Sequence, residues 1–151
     1  MKKNNIFCVA MFLVTIFADR ITKLWSINMG YYKVNSIFSF DLVMNRGVSW
    51  GMFHYSDTTA FVLVSLFVLL VTLGVGFLAY TKWRDGESIL GESLIIAGSF
   101  SNLLDRIIYG GVVDFIVINI GNWNWPAFNI ADTAIVVGVA TILLLSFKSS
   151  K

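Results

Sequence analysis

The sequence contains only one histidine, one cysteine and one proline. A lone His54 and a lone Cys8 cannot supply the usual ligands of a catalytic zinc ion, and the His-Glu-x-x-His pattern of metallopeptidases does not occur. Cys8 has no partner for an intrachain disulfide, and because it lies in an apolar run we interpret it as a packing residue. We interpret His54, beside Tyr55, as an interfacial residue rather than a base. We therefore expect no metal and no other cofactor.

Charged residues are also few, at 13% of the chain with a formal net charge of +2. The basic residues are scattered and the aromatic residues lie in apolar runs, a pattern that argues against binding of nucleic acid. No glycine-rich phosphate loop is present. Hydrophobic residues, in contrast, make up 57% of the chain, and the mean hydropathy is +0.77. This composition is typical of an integral membrane protein.

Four apolar segments approach the ~20 residues that a helix needs to cross ~30 Å of hydrocarbon. They lie at about 5–27, 58–80, 88–108 and 129–147. We predict an all-α integral membrane fold, a four-transmembrane-helix bundle that forms a single domain over residues 1–151. The first segment, taken alone, also fits a cleavable signal peptide, but Ile16 is a poor match to the small residue required there for cleavage after Ala18. We favour a retained first helix.

The distribution of basic residues predicts the orientation in the membrane. One group would flank the membrane on a single side if both termini and the 81–87 loop are cytoplasmic: Lys2, Lys3, Lys82, Arg84, Lys148 and Lys151. On the opposite, outer face, residues 36–53 mix β-branched and aromatic residues around an Asn-Arg-Gly turn signal, which predicts a small β element. Trp123 and Trp125, next to the only proline, indicate an interfacial segment.

Aspartates recur at one depth of the predicted bundle. Counted at 1.5 Å per helical residue from the cytoplasmic ends, Asp19, Asp105 and Asp132 lie roughly 20, 25 and 24 Å into the membrane. Asp114 follows two consecutive glycines that predict a helix break, so the chain can turn back over the bundle there. An ionisable side chain at membrane depth costs at least ~2.5 kcal/mol and indicates a functional site.

The aspartates divide into two groups by their sequence neighbours. Asp19, Asp105 and Arg106 fit an ion network that holds helices together, and Asn102 shares a helical face with Asp105 at i, i+3. Such a network has a structural or supporting role.

Asp114 and Asp132, in contrast, have no basic residue within four positions. Two carboxyl groups close together in a low-dielectric site share a proton, as in an aspartic protease.

Other chemistries fit the sequence less well. A serine–lysine pair would have to draw on loop residues such as Ser36, Ser39 or Ser49 with Lys23 or Lys33, and no pattern joins any of them. A small transporter or proton-conducting subunit needs polar groups through the full membrane thickness, but the inner halves of the four segments carry few. A non-catalytic assembly protein would leave the two unpaired aspartates without a purpose.

Five short motifs lie along nearly the whole chain: DRITK at 19–23, NRGVSWG at 45–51, SNLLDR at 101–106, VVDF at 112–115 and FNIAD at 128–132. In these motifs, in their order and in the four segments that separate them, the sequence resembles the lipoprotein signal peptidases, or signal peptidase II, of bacterial inner membranes. Two positions depart from the usual pattern. Ser101 stands where glycine is common, and Trp50 stands where phenylalanine is usual.

The resemblance implies that Asp114 and Asp132 are the catalytic pair. It also implies a set of residues that bind substrate or support the site: Asp19, Lys23, Asn45, Gly47, Asn102, Asp105, Arg106 and Asn129.

The implied activity is that of an aspartic endopeptidase that acts within the membrane. Its substrate would be a diacylglyceryl-modified prolipoprotein, cut on the amino side of the lipidated cysteine. The enzyme would be a multi-pass protein of the bacterial inner membrane with its active site toward the outer leaflet. We expect it to contact membrane lipid and to act as a monomer.

Overall fold

The computed structural model describes residues 2–47, 58–121 and 123–149. Along the chain the elements are α1 (Lys2–Met29), β1 (Tyr32–Lys33), β2 (Phe38–Asn45), α2 (Thr58–Arg84), α3 (Leu90–Tyr109), β3 (Val112–Ile120), β4 (Trp123–Asn124) and α4 (Ile130–Ser149). Five residues named in the sequence analysis lie outside the described residues: Ser49, Trp50, His54, Tyr55 and Lys151.

The four predicted helical segments are confirmed as helices, with small differences at their ends. The largest difference is in α2, which continues to Arg84 instead of ending near residue 80. Within the described residues, α2 and the Ile130–Phe147 part of α4 are long and apolar enough to cross a membrane. Apolar side chains of α2, such as Phe67 and Leu70, are exposed on the protein surface. An exposed apolar helix surface of this extent is typical of contact with lipid.

Helix α3 lies at the centre of the fold, in contact with the other three helices. Its approach to α4 is close because glycines face backbone across the interface. A Cβ atom on Gly138 would lie 2.6 Å from the carbonyl oxygen of Gly91, and one on Gly98 would meet the carbonyl oxygen of Ala131. Small residues of this kind let two helices pack backbone against backbone. The packing fixes the start of α4 against the middle of α3.

The β element is a four-stranded antiparallel sheet in the order β1-β2-β3-β4. The small β element predicted at residues 36–53 is present as β2 in its described part. The longest strand, β3, comes from the segment after α3, for which the sequence predicts only a turn back over the bundle and an interfacial segment. As predicted, α3 stops at the glycines: Gly110 adopts a left-handed conformation with φ of 68°. The chain then reverses into β3, which carries Asp114.

The interior is polar where α1, α3 and β3 meet. The largest fully buried side chains include four charged ones: Asp19, Lys23, Asp105 and Asp114. Charges are buried at this density only when they are paired and hydrogen-bonded. Their partners define the site described next.

Candidate active site

Asp132 is fixed at the start of α4 by a capping box. The backbone N–H of Asp132 donates to Asn129 Oδ1 at 2.8 Å, and the backbone N–H of Asn129 donates back to Asp132 Oδ2 at 3.3 Å. The sequence Asn-Ile-Ala-Asp thus encodes the position of the carboxyl group locally. Another N–H in the first turn of α4, that of Ala131, donates to Asp19 Oδ1 of α1 at 2.8 Å.

Asp114 is placed beside Asp132 by β3 and by the same asparagine. The Asn129 amide donates to Asp114 Oδ1 at 2.7 Å, so one side chain contacts both acidic residues. Asn45, at the end of β2, donates to Asp114 Oδ2 at 2.9 Å. Its own amide oxygen accepts from the Gly47 N–H at 3.0 Å. Each oxygen of the Asp114 carboxyl group therefore receives one amide N–H.

Asn102 of α3 completes the contacts around Asp132. Its Nδ2 donates to Asp132 Oδ1 at 2.8 Å. Its Oδ1 accepts from Lys23 Nζ at 2.8 Å and from Asn129 Nδ2 at 3.2 Å. Through these bonds the two aspartates are connected to the buried charges of α1.

The buried charges form an ion network between α1 and α3. Lys23 Nζ lies 2.7 Å from Asp19 Oδ2 and 2.7 Å from Asp105 Oδ2. Arg20 pairs with Asp105 and, at 3.4 Å, with Asp19. Ser101 Oγ donates to Asp19 Oδ2 at 2.6 Å. Ser101, which is larger than the glycine common at this position of the family, therefore fits here, and its hydroxyl group forms a hydrogen bond with Asp19.

The predicted ion network had the correct acids but the wrong cation. Arg106 was expected to pair with Asp19 and Asp105; within the described residues those acids pair instead with Lys23 and Arg20. Arg106 lies about 100° around α3 from Asp105, and its side chain is directed away from the ion network. Arg106 donates to two carbonyl oxygens, of Asn102 at 3.2 Å and of Gly47 at 3.3 Å. Its guanidinium group therefore faces the site.

The two acids face a small polar cleft of about 100 Å³. Its polar lining comes from Asn45, Gly47, Ser99, Asn102, Arg106, Asp114 and Asp132.

Two larger apolar cavities adjoin the cleft, one at Asp132 and one at Arg106. The one beside α4, about 470 Å³, is lined by Pro126, Phe128 and Val136 among others, and Asp132 borders it as well as the cleft. The other, about 350 Å³ between α2 and α3, is bordered by Arg106. The site is thus a polar centre adjoined by two apolar cavities.

The electrostatics of the cleft favour a shared proton. Asp114 lies on β3, outside the helices, and its pKa is raised to about 7, chiefly by burial and next by the negative charge of Asp132. The hydrogen bonds from Asn45 and Asn129 and the charge of Lys23 oppose this rise in the pKa. An acid that keeps its proton up to neutral pH beside a second carboxyl group can act as a general acid.

All the site residues predicted from the sequence lie in one cluster of hydrogen bonds and ion pairs. Sequence reasoning missed Arg20 and Ser101 as members of it. It also missed the Val113 N–H, which donates to Asp105 Oδ2 at 3.1 Å and ties β3 to α3. The charge of Arg20 inside an apolar segment was a usable signal, whereas a serine in an apolar helix gives none.

Comparison with known proteins places the chain in a family. The sequence matches the family Signal peptidase (SPase) II over residues 11–148. The lipoprotein signal peptidase of Thermodesulfovibrio yellowstonii is 35% identical over 144 residues, 93% of each chain. That of Clostridium novyi is 36% identical over 151 residues, covering 95% of this chain and 99% of the relative.

Solved structures share the fold. A bacterial membrane enzyme determined by the in meso method at 2.3 Å resolution aligns with a TM-score of 0.76 at 24% identity, over 96% of this chain and 90% of that chain. A second, at 1.9 Å resolution, aligns with a TM-score of 0.73 over 94% and 93% of the two chains. From its sequence match and its relatives, the chain belongs to the signal peptidase II family.

Proposed function

We propose that Asp114 and Asp132 are the catalytic pair of this peptidase, which removes signal peptides from prolipoproteins. One observation carries the assignment: the Asn129 side chain bonds to both residues, and amide N–H groups hold both carboxyl groups toward one cleft. The ion network of Asp19, Lys23 and Asp105 lies behind this pair and supports it.

The pair performs acid–base catalysis on a water molecule. The ionised carboxylate takes a proton from water as the water oxygen attacks the scissile carbonyl carbon, and the protonated partner gives its proton to the carbonyl oxygen. A tetrahedral diol results. Its collapse breaks the C–N bond, and the leaving nitrogen takes the proton from the first carboxyl group. The second carboxylate recovers a proton from the diol, which restores the pair.

The surroundings of the cleft suit an extended lipidated peptide. Asn45, Asn102 and Arg106 present polar groups that can pair with a substrate backbone where water is scarce. The two adjoining apolar cavities offer surface for acyl chains and for a hydrophobic signal sequence. We infer a diacylglyceryl-modified prolipoprotein, cut on the amino side of its lipidated cysteine, with membrane lipid in contact with the enzyme.

We infer further that the chain forms one domain and that all four helices span the bacterial inner membrane. Asp19, Asp105 and Asp132 meet at one end of the helices, where the sheet also lies. At the other end, Lys82 Nζ lies 2.6 Å from the buried Glu92 carboxylate. With the basic residues inside, both termini are cytoplasmic and the active site faces the outer leaflet. The cluster is complete within one chain, which favours a monomer.

The decisive experiment replaces each acid by its amide. Asp114→Asn and Asp132→Asn should each abolish cleavage of a diacylglyceryl-modified prolipoprotein, because an amide keeps the size of the carboxyl group but cannot exchange its proton. The double variant should be scarcely slower than either single one, since the two groups act as a unit. The assay uses detergent-purified protein, with substrate binding measured in parallel.

Asp41→Asn is the matched control. Asp41 lies exposed on β2, so its amide variant should cleave at the wild-type rate. If either site variant binds substrate and still keeps more than ~5% of the wild-type turnover, the catalytic pair is assigned wrongly.

A further inference from the structure

Lys23 is fully enclosed between α1 and α3, with 1% of its surface exposed. Its ammonium group has three acceptors: Asp19 Oδ2, Asp105 Oδ2 and Asn102 Oδ1, at 2.7, 2.7 and 2.8 Å. Two carboxylates already balance one ammonium group, and Arg20 adds a second positive charge to the same pair of acids. The hydrogen bond from Lys23 to the neutral Asn102 amide is therefore not needed to balance the charges.

The bond to Asn102 determines which end of that amide faces the catalytic pair. An ammonium group only donates hydrogen bonds, so the atom that faces Lys23 must be the amide oxygen. The nitrogen then faces Asp132 and donates to its Oδ1 at 2.8 Å. A reversed amide would place an oxygen against a carboxylate oxygen at the same distance, which is repulsive.

Among the described residues, no other donor comes as close to the Asn102 amide oxygen. The Asn129 amide also reaches Asn102 Oδ1, at 3.2 Å, but its two hydrogens are divided among three acceptors. The shortest of its three bonds, 2.7 Å, goes to Asp114. Lys23 is thus the principal donor to the Asn102 oxygen.

We propose that Lys23 is a positioning residue of the active site: it fixes the orientation of the Asn102 amide, which directs an N–H at Asp132. This inference rests on the proposed role of Asp132 in catalysis. Lys23 touches neither acid of the pair and acts on them through Asn102 and through its charge.

The charge provides a readout that a merely structural lysine would not move. Lys23 interacts with Asp19 of α1, Asp105 of α3, Asp114 of β3 and Asp132 of α4. Arg20 of α1 pairs with the first two acids, and the charge of Arg106 of α3 interacts with Asp105, Asp114 and Asp132. The positive charge of Lys23 lowers the pKa of Asp114. Its removal must therefore raise that pKa and shift the pH–rate profile to higher pH.

Arg20 offers a matched control in the same network. It also pairs with Asp19 and Asp105, but its third contact is the Ser101 carbonyl oxygen rather than Asn102. Removing Lys23 or Arg20 leaves Asp19 and Asp105 with one positively charged partner instead of two. Only the loss of Lys23 frees the Asn102 amide.

The test compares Lys23→Met and Arg20→Met, using folded protein from a size-exclusion peak and a lipidated prolipoprotein substrate. For Lys23→Met we expect kcat to fall about 10- to 100-fold, the loss of a hydrogen bond to a charged group, with KM within about 2-fold. Its pH–rate profile should move to higher pH, because the charge that lowers the pKa of Asp114 is gone. For Arg20→Met we expect a lower yield of folded protein and a smaller fall in kcat than for Lys23→Met, with the pH–rate profile in place.

If Lys23→Met does not fold, a charge-balanced variant replaces it. Asp19→Asn with Lys23→Met leaves Arg20 opposite Asp105, and it is compared with Asp19→Asn alone. The double variant should show the lower kcat and the shifted profile. Failure of both Lys23 variants to fold makes Lys23 a structural residue and overturns the proposal.

The outcomes separate this proposal from the proposed function. A wild-type protein that does not cleave the lipidated substrate overturns the proposed function. A wild-type protein that cleaves, with Lys23→Met equal to Arg20→Met in kcat and in pH profile, overturns only the role of Lys23.

Discussion

Three asparagine side chains direct hydrogen bonds at the two acids: Asn45, Asn102 and Asn129. In each of them the amide oxygen accepts from a group that only donates, either a backbone N–H or the Lys23 ammonium group. The amide nitrogen is therefore forced to face a carboxylate. A network whose donors and acceptors can be arranged in only one way gives an active site of fixed geometry.

The raised pKa of Asp114 predicts the pH dependence of cleavage. An acid whose pKa is raised to about 7 keeps its proton up to that pH, so the pair loses its shared proton as pH rises through about 7. We expect kcat to fall on the alkaline side of that value. The Asn45 hydrogen bond lowers the pKa of Asp114. Asn45→Ala should therefore move the alkaline limb of the kcat–pH profile to higher pH.

Asn119→Ala is the control for this shift. Asn119 lies on the same sheet and donates to Ser39 Oγ at 3.2 Å, away from the cleft. Its loss should leave the alkaline limb where the wild type has it. If the alkaline limb of the kcat–pH profile stays in place or moves to lower pH in Asn45→Ala, the Asn45 hydrogen bond does not lower the pKa of Asp114.

Polar residues of the site were predictable from the sequence because charge stands out in apolar segments. The partner of each charge was less predictable. Arg106 follows Asp105 directly, which predicts a pair, but its guanidinium group donates to the carbonyl oxygens of Asn102 and Gly47 instead. Lys23, four residues after Asp19, lies on the same helix face and is the true partner. The ion pair of Lys23 with Asp105 joins two helices. Such contacts depend on tertiary packing, which a local sequence pattern does not predict.

At the scale of elements, the helices were easier to predict than the sheet. Length and hydropathy define a helix locally, and two glycines marked the end of α3. Strand β3, Val112–Ile120, is buried over its first five residues, and apart from Asp114 and Asn119 its residues are apolar. A run of this kind has no strand periodicity, and its partner β2 lies far away in the sequence. The strand that carries Asp114 was therefore recognised only as a turn back over the bundle.

The close contact of α3 with α4 predicts how a single methyl group affects catalysis. A Cβ on Gly98 would meet the Ala131 carbonyl oxygen and lie 2.8 Å from Ile135 Cγ1. Because Ala131 adjoins Asp132, Gly98→Ala must push the start of α4 away from Asn102. We expect a fall in kcat of at least about 10-fold per folded enzyme, since small displacements of catalytic groups are costly. Thermal unfolding and cleavage are measured on the same sample.

Two other glycines provide the comparison. Gly138→Ala crowds the Gly91 carbonyl oxygen further along the same interface, so it should lower the melting temperature with a smaller effect on kcat. An added Cβ on Gly74 of α2 would meet no atom of the described residues within 4 Å beyond its chain neighbours and its own helix backbone, so Gly74→Ala should change neither quantity. Equal losses of kcat in the Gly98 and Gly138 variants would refute a local effect on Asp132.

At the scale of the whole molecule, polar and apolar surfaces are separated along the helix direction. The catalytic cluster and the sheet occupy one end, and the α2–α3 turn with the Lys82–Glu92 pair occupies the other. Between them, α2 and α4 expose apolar side chains such as Phe67 and Leu144. The arrangement predicts that the two ends lie on opposite sides of a membrane, with hydrocarbon around the middle.

Single-cysteine labelling tests this orientation. Cys8 is buried and is the only cysteine of the chain, so Cys8→Ala gives a background without a thiol. Asp41→Cys on β2 should react with a membrane-impermeant maleimide in intact spheroplasts, because the sheet faces outward in the proposed topology. Asp85→Cys, in the α2–α3 turn where Asp85 is 59% exposed, should react only after the spheroplasts are lysed. In detergent both should label equally, which controls for intrinsic reactivity. Labelling of Asp85→Cys in intact spheroplasts, with Asp41→Cys protected, would place the active site on the cytoplasmic side and reverse the proposed orientation.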